Sequence, residues 1–167
     1  MQEKIDWQHH YNELLPKVFH FFWFKVGDRS LAEDLAAATF EKAWKFRGRF
    51  RQDLGKFDGW VFGIARNVAS DYFRSRKPQE NFDDTRLVSS SGQTENEVEK
   101  LENFARLQQI LITLDSRERD LISYKYGAEL TNRQIAHLTG LSESNVGVIL
   151  FRAVEKLRSE WKAGKNE

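Results

Sequence analysis

The sequence predicts an all-α protein of two small helical domains joined by a flexible acidic linker, the second domain carrying a helix-turn-helix. Three observations lead there. Apolar residues recur at helical spacing throughout, with no alternating apolar–polar run that would make a strand. Helix breakers are few, with two prolines and ten glycines in 167 residues. Between Gln79 and Gln93 the helical repeat stops, and acids mix with the run Ser89-Ser90-Ser91-Gly92, a linker composition. The expected boundaries are 1–77 for the first domain, 78–96 for the linker and 97–167 for the second domain.

Taken in order, Leu14, Leu15, Val18, Phe19 and Phe22 form a first helical stripe. Pro16 either kinks that helix or starts its second part, and Gly27 ends it. Ser30 with Glu33 has the spacing of a capping box, so a second helix should run from about Leu31 to Phe46 and bury Leu31, Leu35 and Ala38. A third begins near Asp58, with Trp60, Val61, Ile64, Ala65, Val68 and Tyr72 on its apolar face, until Pro78 closes the block. Beyond the linker, Val98, Leu101, Ala105, Gln108 and Leu111 resume the repeat, and a short helix from Arg117 to about Tyr126 is ended by Gly127.

The stretch from Thr131 to Arg158 reads as a complete helix-turn-helix. Thr131 and Gln134 make a capping box, small Ala136 suits a close helix crossing, Gly140 permits a left-handed turn, and Ser142 caps the second helix. In that second helix Val146, Leu150, Ala153 and Leu157 share one face. The other face carries Ser144, Asn145, Val148, Phe151, Arg152, Glu155 and Lys156, which suits a major groove.

Composition excludes several classes. The chain has no cysteine, which removes disulfides and cysteine-ligated zinc. No stretch approaches the ~18 apolar residues of a membrane span and no secretory leader pattern opens the chain, so a soluble cytoplasmic protein is expected. His9, His10, His20 and His137 have no metal-ligand spacing, and no nucleophile motif or phosphate loop is present; neither a metal, a cofactor nor a catalytic residue is expected. Net charge is +1 overall, but residues 45–77 hold nine Lys and Arg against three Asp. That local excess attracts phosphate, and Phe50, Phe57, Trp60, Phe62, Tyr72 and Phe73 are interleaved with it. Asn67, Asp71 and Arg74 fall on one helical face at i, i+4 and i+7. Trp60 fits burial better than DNA contact, and Asp71 fits the orienting of a neighbouring arginine. Phe19, Phe21, Phe22, Trp23 and Phe24 make the first helix apolar nearly all round, more than one core needs, which suggests a partner surface.

At this point the chain resembles bacterial sigma factors of the extracytoplasmic-function, sigma-70-like type. Ala32-Glu33-Asp34-Leu35, Thr39-Phe40 and Lys42-Ala43-Trp44 are similar to that family's polymerase-binding helix. Trp60-Val61-Phe62, Ile64-Ala65-Arg66-Asn67, Asp71-Tyr72 and Arg74 through Lys77 are similar to its minus-10 helix, and the helix-turn-helix to its minus-35 reader. The resemblance implies a transcription initiation factor that binds core RNA polymerase and promoter DNA, is monomeric when free, and in some cases is held by an anti-sigma factor. It assigns polymerase contact to Glu33, Asp34, Leu35, Thr39, Phe40, Lys42 and Trp44. It assigns the minus-10 element to Lys56, Arg66, Asn67, Tyr72, Arg74, Arg76 and Lys77, and the minus-35 element to Thr131, Arg133, Ser142, Ser144, Asn145, Val148 and Arg152. It also implies a linker threading polymerase channels, where Asp83, Asp84, Glu95, Glu97, Glu99 and Glu102 would supply acidic groups.

One departure stands out. The family pattern places a Lys and an Arg early in the recognition helix, where this chain has Gly147, Val148 and Ile149. Val148 and Phe151 then suit either a thymine methyl or another protein. Two rival functions remain at this level. A free-standing helix-turn-helix regulator would bind duplex DNA without polymerase, usually as a dimer. A metal-dependent nuclease using Glu33 or Asp34 would cleave only with a divalent cation.

Overall fold

The computed structural model describes residues 4–76 and 94–165. The expected linker lies outside the described residues except for its last three positions, and Lys77 lies outside them too. The described residues form seven α-helices and no strand.

Helix α1 (Trp7–Val26) starts where the Asp6 carboxylate accepts from the His9 N–H at 3.2 Å, passes through Pro16 without a break, and ends at Gly27 with φ 76°. Helix α2 (Arg29–Lys45) starts earlier than its sequence suggests. Asp28, directly after the left-handed glycine, accepts from the Leu31 N–H at 2.9 Å and takes the N-cap, so Ser30 lies in the first turn and the expected box with Glu33 does not form. Two short 3₁₀ turns, Arg47–Arg49 and Gln52–Leu54, carry the arginine-rich connection to α3 (Phe57–Ser75).

Helix α4 (Glu95–Leu111) opens on a true capping box, Thr94 with Glu97, two residues ahead of the expected domain start. Glu95, Glu97, Glu99 and Glu102 therefore belong to its exposed surface and not to a linker. Helix α5 (Ser116–Ile122) is capped by Asp115 and runs directly into a π turn, Ser123–Gly127. Helices α6 (Asn132–Thr139) and α7 (Glu143–Ala163) form the helix-turn-helix. Its caps are those the sequence predicts: Thr131 with Gln134, Gly140 at φ 75°, and Ser142 accepting from the Asn145 N–H at 3.1 Å. Val146, Leu150 and Ala153 face inward.

The two halves share one continuous core, from Leu14, Phe21 and Phe62 to Leu121, Ile135 and Val146. Helix α1 is its centre. The Phe21 ring stacks on Tyr124 of the π turn with centroids 4.8 Å apart, and Trp23 packs on Phe104 of α4 at 3.9 Å. Phe24 also meets Phe104, so the aromatic excess of α1, expected to await a partner protein, is covered by this chain's own second half. The last carbonyls of α1 are satisfied from the same side: Gln108 Nε2 donates to Trp23 O at 3.0 Å and Arg119 Nε to Phe24 O at 3.1 Å. Lys25 pairs with Asp120 and Lys17 with Glu129 at 3.8 Å.

Gly127 ends the helical stretch as the sequence predicts, without a left-handed φ. It is needed for proximity. A Cβ there would lie 2.9 Å from His20 O and from Phe21 N and Cα, all backbone atoms that cannot swing aside. Gly127→Ala should therefore force the π turn off α1. It is expected to cost about 1–3 kcal/mol and lower the Tm by several degrees, read by thermal unfolding followed by circular dichroism; an unchanged Tm would contradict the close approach.

The Asp115 carboxyl sits below the ordinary carboxylate range, first because it accepts from the Glu118 backbone N–H at 2.8 Å and then through its side-chain link to Glu118. A folded-state value that is depressed gives stability present above the unfolded value and lost as pH falls through the folded one. Asp115→Asn keeps a cap acceptor without the charge. Its Tm should approach that of the parent chain as pH falls through the carboxylate range, and a constant gap would show that Asp115 does not titrate in this way.

Candidate nucleic-acid and polymerase interface

Helices α2 and α3 pack side by side and leave an open depression of about 540 Å³ between them. Lys42 and Lys45 from α2 and Asn67, Ser70, Asp71 and Arg74 from α3 supply its polar lining. The 3.6-residue period explains the set, since Asn67, Ser70, Asp71 and Arg74 share the face opposite buried Val61, Ala65, Val68 and Ala69. Asp71 pairs with Arg74 at 3.5 Å and with Lys42 at 3.7 Å, so it orients two cations, the role its type suggests. Three cations against one carboxylate leave a positive excess. Lys45 belongs to the basic run of residues 45–77, and Ser70, which no motif marks, lies three residues beyond Asn67, where helical spacing identifies it.

Around this depression the arginine-rich turns extend the charge. Lys56, Arg66, Arg74 and Arg76 are exposed. Arg47 lies over the Trp44 ring at 4.1 Å, Arg49 over Phe46 at 4.6 Å and Arg76 over Tyr72 at 4.6 Å, which holds the guanidinium groups in place. Tyr72 is half-buried. Trp60, half-buried against Phe50 and Phe57, belongs to the packing of the turns.

Arg66 is placed elsewhere. Its guanidinium donates to the carbonyl of Leu138, at the end of α6 in the second half. Neighbouring Asn67 points about 100° away around the helix, into the depression. The minus-10 set is thus split by the fold, with Arg66 at the junction of the halves.

The polymerase-contact set is also split. Glu33, Asp34 and Trp44 are exposed, Trp44 at 53% and edge-on to Trp7 at 5.3 Å. Leu35 and Thr39 are buried, the Thr39 hydroxyl donating to Leu35 O at 2.9 Å, so both support the helix from inside and cannot touch a partner. Phe40 is half-buried on Tyr11 at 4.9 Å, and Lys42 turns towards Asp71. Exposed Ala37 and Glu41 complete the stripe from Glu33 to Trp44, at steps of four, four and three residues that the sequence already contains.

In the helix-turn-helix, Thr131, Arg133, Ser142, Ser144, Asn145, Val148 and Arg152 are all exposed. Lys156, on the expected groove face, instead pairs with buried Glu118 of α5 at 2.6 Å, and Glu155 pairs with Arg158 at 3.2 Å. The described residues contain no helix long and apolar enough to cross a membrane.

With this geometry in view, comparison with known proteins decides the family. Sigma-70 region 2 matches residues 10–79 and Sigma-70 region 4 matches residues 110–159, together spanning most of the chain. The ECF RNA polymerase sigma factor SigM of Bacillus subtilis is 29% identical over 161 residues, covering 94% of this chain and 96% of that protein. The chain belongs to the extracytoplasmic-function sigma factors. SigW of Bacillus subtilis, another of them, is 27% identical over 157 residues, covering 86% of this sigma factor and 82% of its own length. The fold agrees. The sigma factor RpoE of Bartonella quintana, solved with the anti-sigma factor NepR, superposes with a TM-score of 0.76 at 18% identity, covering 94% of this chain and 97% of that one. CnrH, solved with the cytosolic domain of CnrY, gives 0.64 at 24% identity, covering 93% and 84%. A sigma factor directs RNA polymerase to promoters, and that is the activity of this chain.

Arg74 is exposed and its pairing with Asp71 lies at the surface, so Arg74→Ala should change stability by less than about 0.5 kcal/mol. If its cation meets a phosphate, the same change lowers the salt slope of promoter binding by about one. The slope is read by titrating the polymerase complex with promoter DNA at several salt concentrations, and an unchanged slope removes Arg74 from the interface.

Proposed function

We propose that the exposed stripe of α2 docks on core polymerase, that the depression between α2 and α3 receives the opened minus-10 strand, and that the α6–α7 unit reads the minus-35 element. The observation that carries this reading is the meeting of Lys42, Lys45, Asn67 and Arg74 in one open depression beside the Phe46 ring. Holding an unpaired strand calls for phosphate-seeking cations, amides for base edges and flat rings, and needs no bond-making group. The residues proposed for polymerase are Glu33, Asp34, Ala37, Glu41 and Trp44. For the minus-10 DNA they are Lys42, Lys45, Lys56, Asn67, Tyr72, Arg74 and Arg76, with Arg66 joining once it leaves Leu138. For the minus-35 DNA they are Thr131, Arg133, Ser142, Ser144, Asn145, Val148 and Arg152.

In this reading the chain catalyses no reaction by itself and works in the cytoplasm, where polymerase and promoters meet. Its likeness in fold to the sigma factor RpoE, solved with the anti-sigma factor NepR, supports an inhibitor of that class here as well.

Run-off transcription with core polymerase and a randomised promoter library tests the assignment. The parent chain should initiate at a defined subset of templates. Trp44→Ala should weaken core binding, and Asn67→Ala should reduce permanganate reactivity of the minus-10 thymines while leaving core binding intact. Duplex binding by the chain without core, and no initiation with it, would favour a free-standing regulator instead.

A further inference from the structure

The recognition helix α7 carries an apolar pair where a DNA-reading face is usually polar. Phe151 is 69% exposed and Val148 46%, three residues apart on the side opposite buried Val146, Leu150 and Ala153. Exposed Ser144, Asn145 and Arg152 surround them, so the two side chains form a small island and not a broad patch. A stable protein interface takes about 800 Å² from each partner, far more than two such residues offer. Two methyl groups on a duplex are a closer match in size. Val148 and Phe151 are offset by about 4.5 Å along the helix, comparable to the ~3.4 Å step between successive bases.

The charges on the helix point the same way. From Glu143 to Phe151 α7 has no Lys or Arg, and Arg152 is its first cation. The usual readers of guanine are therefore missing from its first two turns. What those turns offer is an amide, Asn145, suited to adenine, and apolar surface suited to the thymine methyl. Gly147 adds a third observation. A Cβ there would meet only the Asn132 amide, at an ordinary 3.7 Å, so packing does not require glycine. Glycine inside a helix nevertheless costs about 1 kcal/mol against alanine. Without a side chain at this position the helix can approach a surface closely.

We propose that α7 reads A·T base pairs through apolar contact, with Val148 and Phe151 seated on thymine methyl groups at neighbouring steps, Asn145 on an adenine, and Gly147 allowing the close approach. This inference rests on the assignment of α6–α7 to the minus-35 element and specifies what that element contains. It also implies that the minus-35 contact depends less on salt than a cation-rich recognition helix would.

The test uses the full chain with core polymerase and selects active templates from a library randomised across the minus-35 region. Selected templates should carry A·T pairs at two or more neighbouring positions. Replacing individual thymines there by deoxyuridine removes only the methyl group, and should reduce initiation about fourfold at each of two neighbouring positions, the worth of one buried methyl. Phe151→Ser should abolish that sensitivity at one position and Val148→Ser at the other, while Gly147→Ala should raise the Tm of the free chain yet weaken minus-35 selection. G·C pairs at the selected positions, indifference to deoxyuridine, or unchanged sensitivity in the serine variants would overturn the inference. Loss of core binding in Phe151→Ser with deoxyuridine neutral would assign the pair to a protein contact and overturn it equally. Initiation with no minus-35 preference would refute this inference while leaving the polymerase role standing; no initiation at any template would refute both.

Discussion

The backbone of Gly127 rests on the backbone of His20 and Phe21, and this approach lets a single helix serve two halves of the molecule. With the two segments so close, Tyr124 can stack on Phe21, and Gln108 and Arg119 can reach the last carbonyls of α1. The Phe24 carbonyl would otherwise need water or another partner, because a helix end leaves carbonyls unsatisfied, while the Trp23 carbonyl accepts from Gln108 in addition to the Gly27 N–H. The packing is thus apolar at its centre and hydrogen-bonded at its edge. Arg66 on Leu138 O marks its far side.

Local signals in the sequence were reliable where the determining interactions are local. The capping box at Thr131, the left-handed Gly140 and the Ser142 cap involve partners within four residues, and the inward face of Val146, Leu150 and Ala153 follows from a spacing of three and four residues. The Ser30–Glu33 spacing failed for a local reason as well, since Asp28 stands two residues ahead and is the better placed acceptor. The close approach at Gly127 and the cover over the aromatic run of α1 were not legible for a different reason. Their partners lie about a hundred residues away, and no periodicity within either segment reveals that one covers the other.

The candidate site was legible to the same degree. Motif likeness singled out residues on α2 and α3 but could not sort inside from outside. Leu35 and Thr39 hold the helix together from within, whereas Ala37 and Glu41, inconspicuous by type, lie on the exposed stripe. Lys42 changes sides because Asp71 on the adjacent helix attracts it. Exposure and cross-helix pairing are tertiary properties, and they decide which members of a motif can meet a partner.

The shared core also sets a length. Promoter elements centred near minus-10 and minus-35 are about 25 base pairs apart, or about 85 Å along straight duplex. A chain of this size folded as one body has a radius of gyration of about 15 Å and spans roughly 40 Å. A body of that span does not reach across both elements, so the proposed two-element recognition would require the halves to separate at the Phe21–Tyr124 contact. Affinity for a promoter is then the intrinsic affinity of the extended form multiplied by the fraction of molecules that adopt it. Every ~1.4 kcal/mol of attachment between the halves lowers that fraction tenfold in the closed regime. In that case the packing that stabilises the fold would also oppose binding of the two elements together.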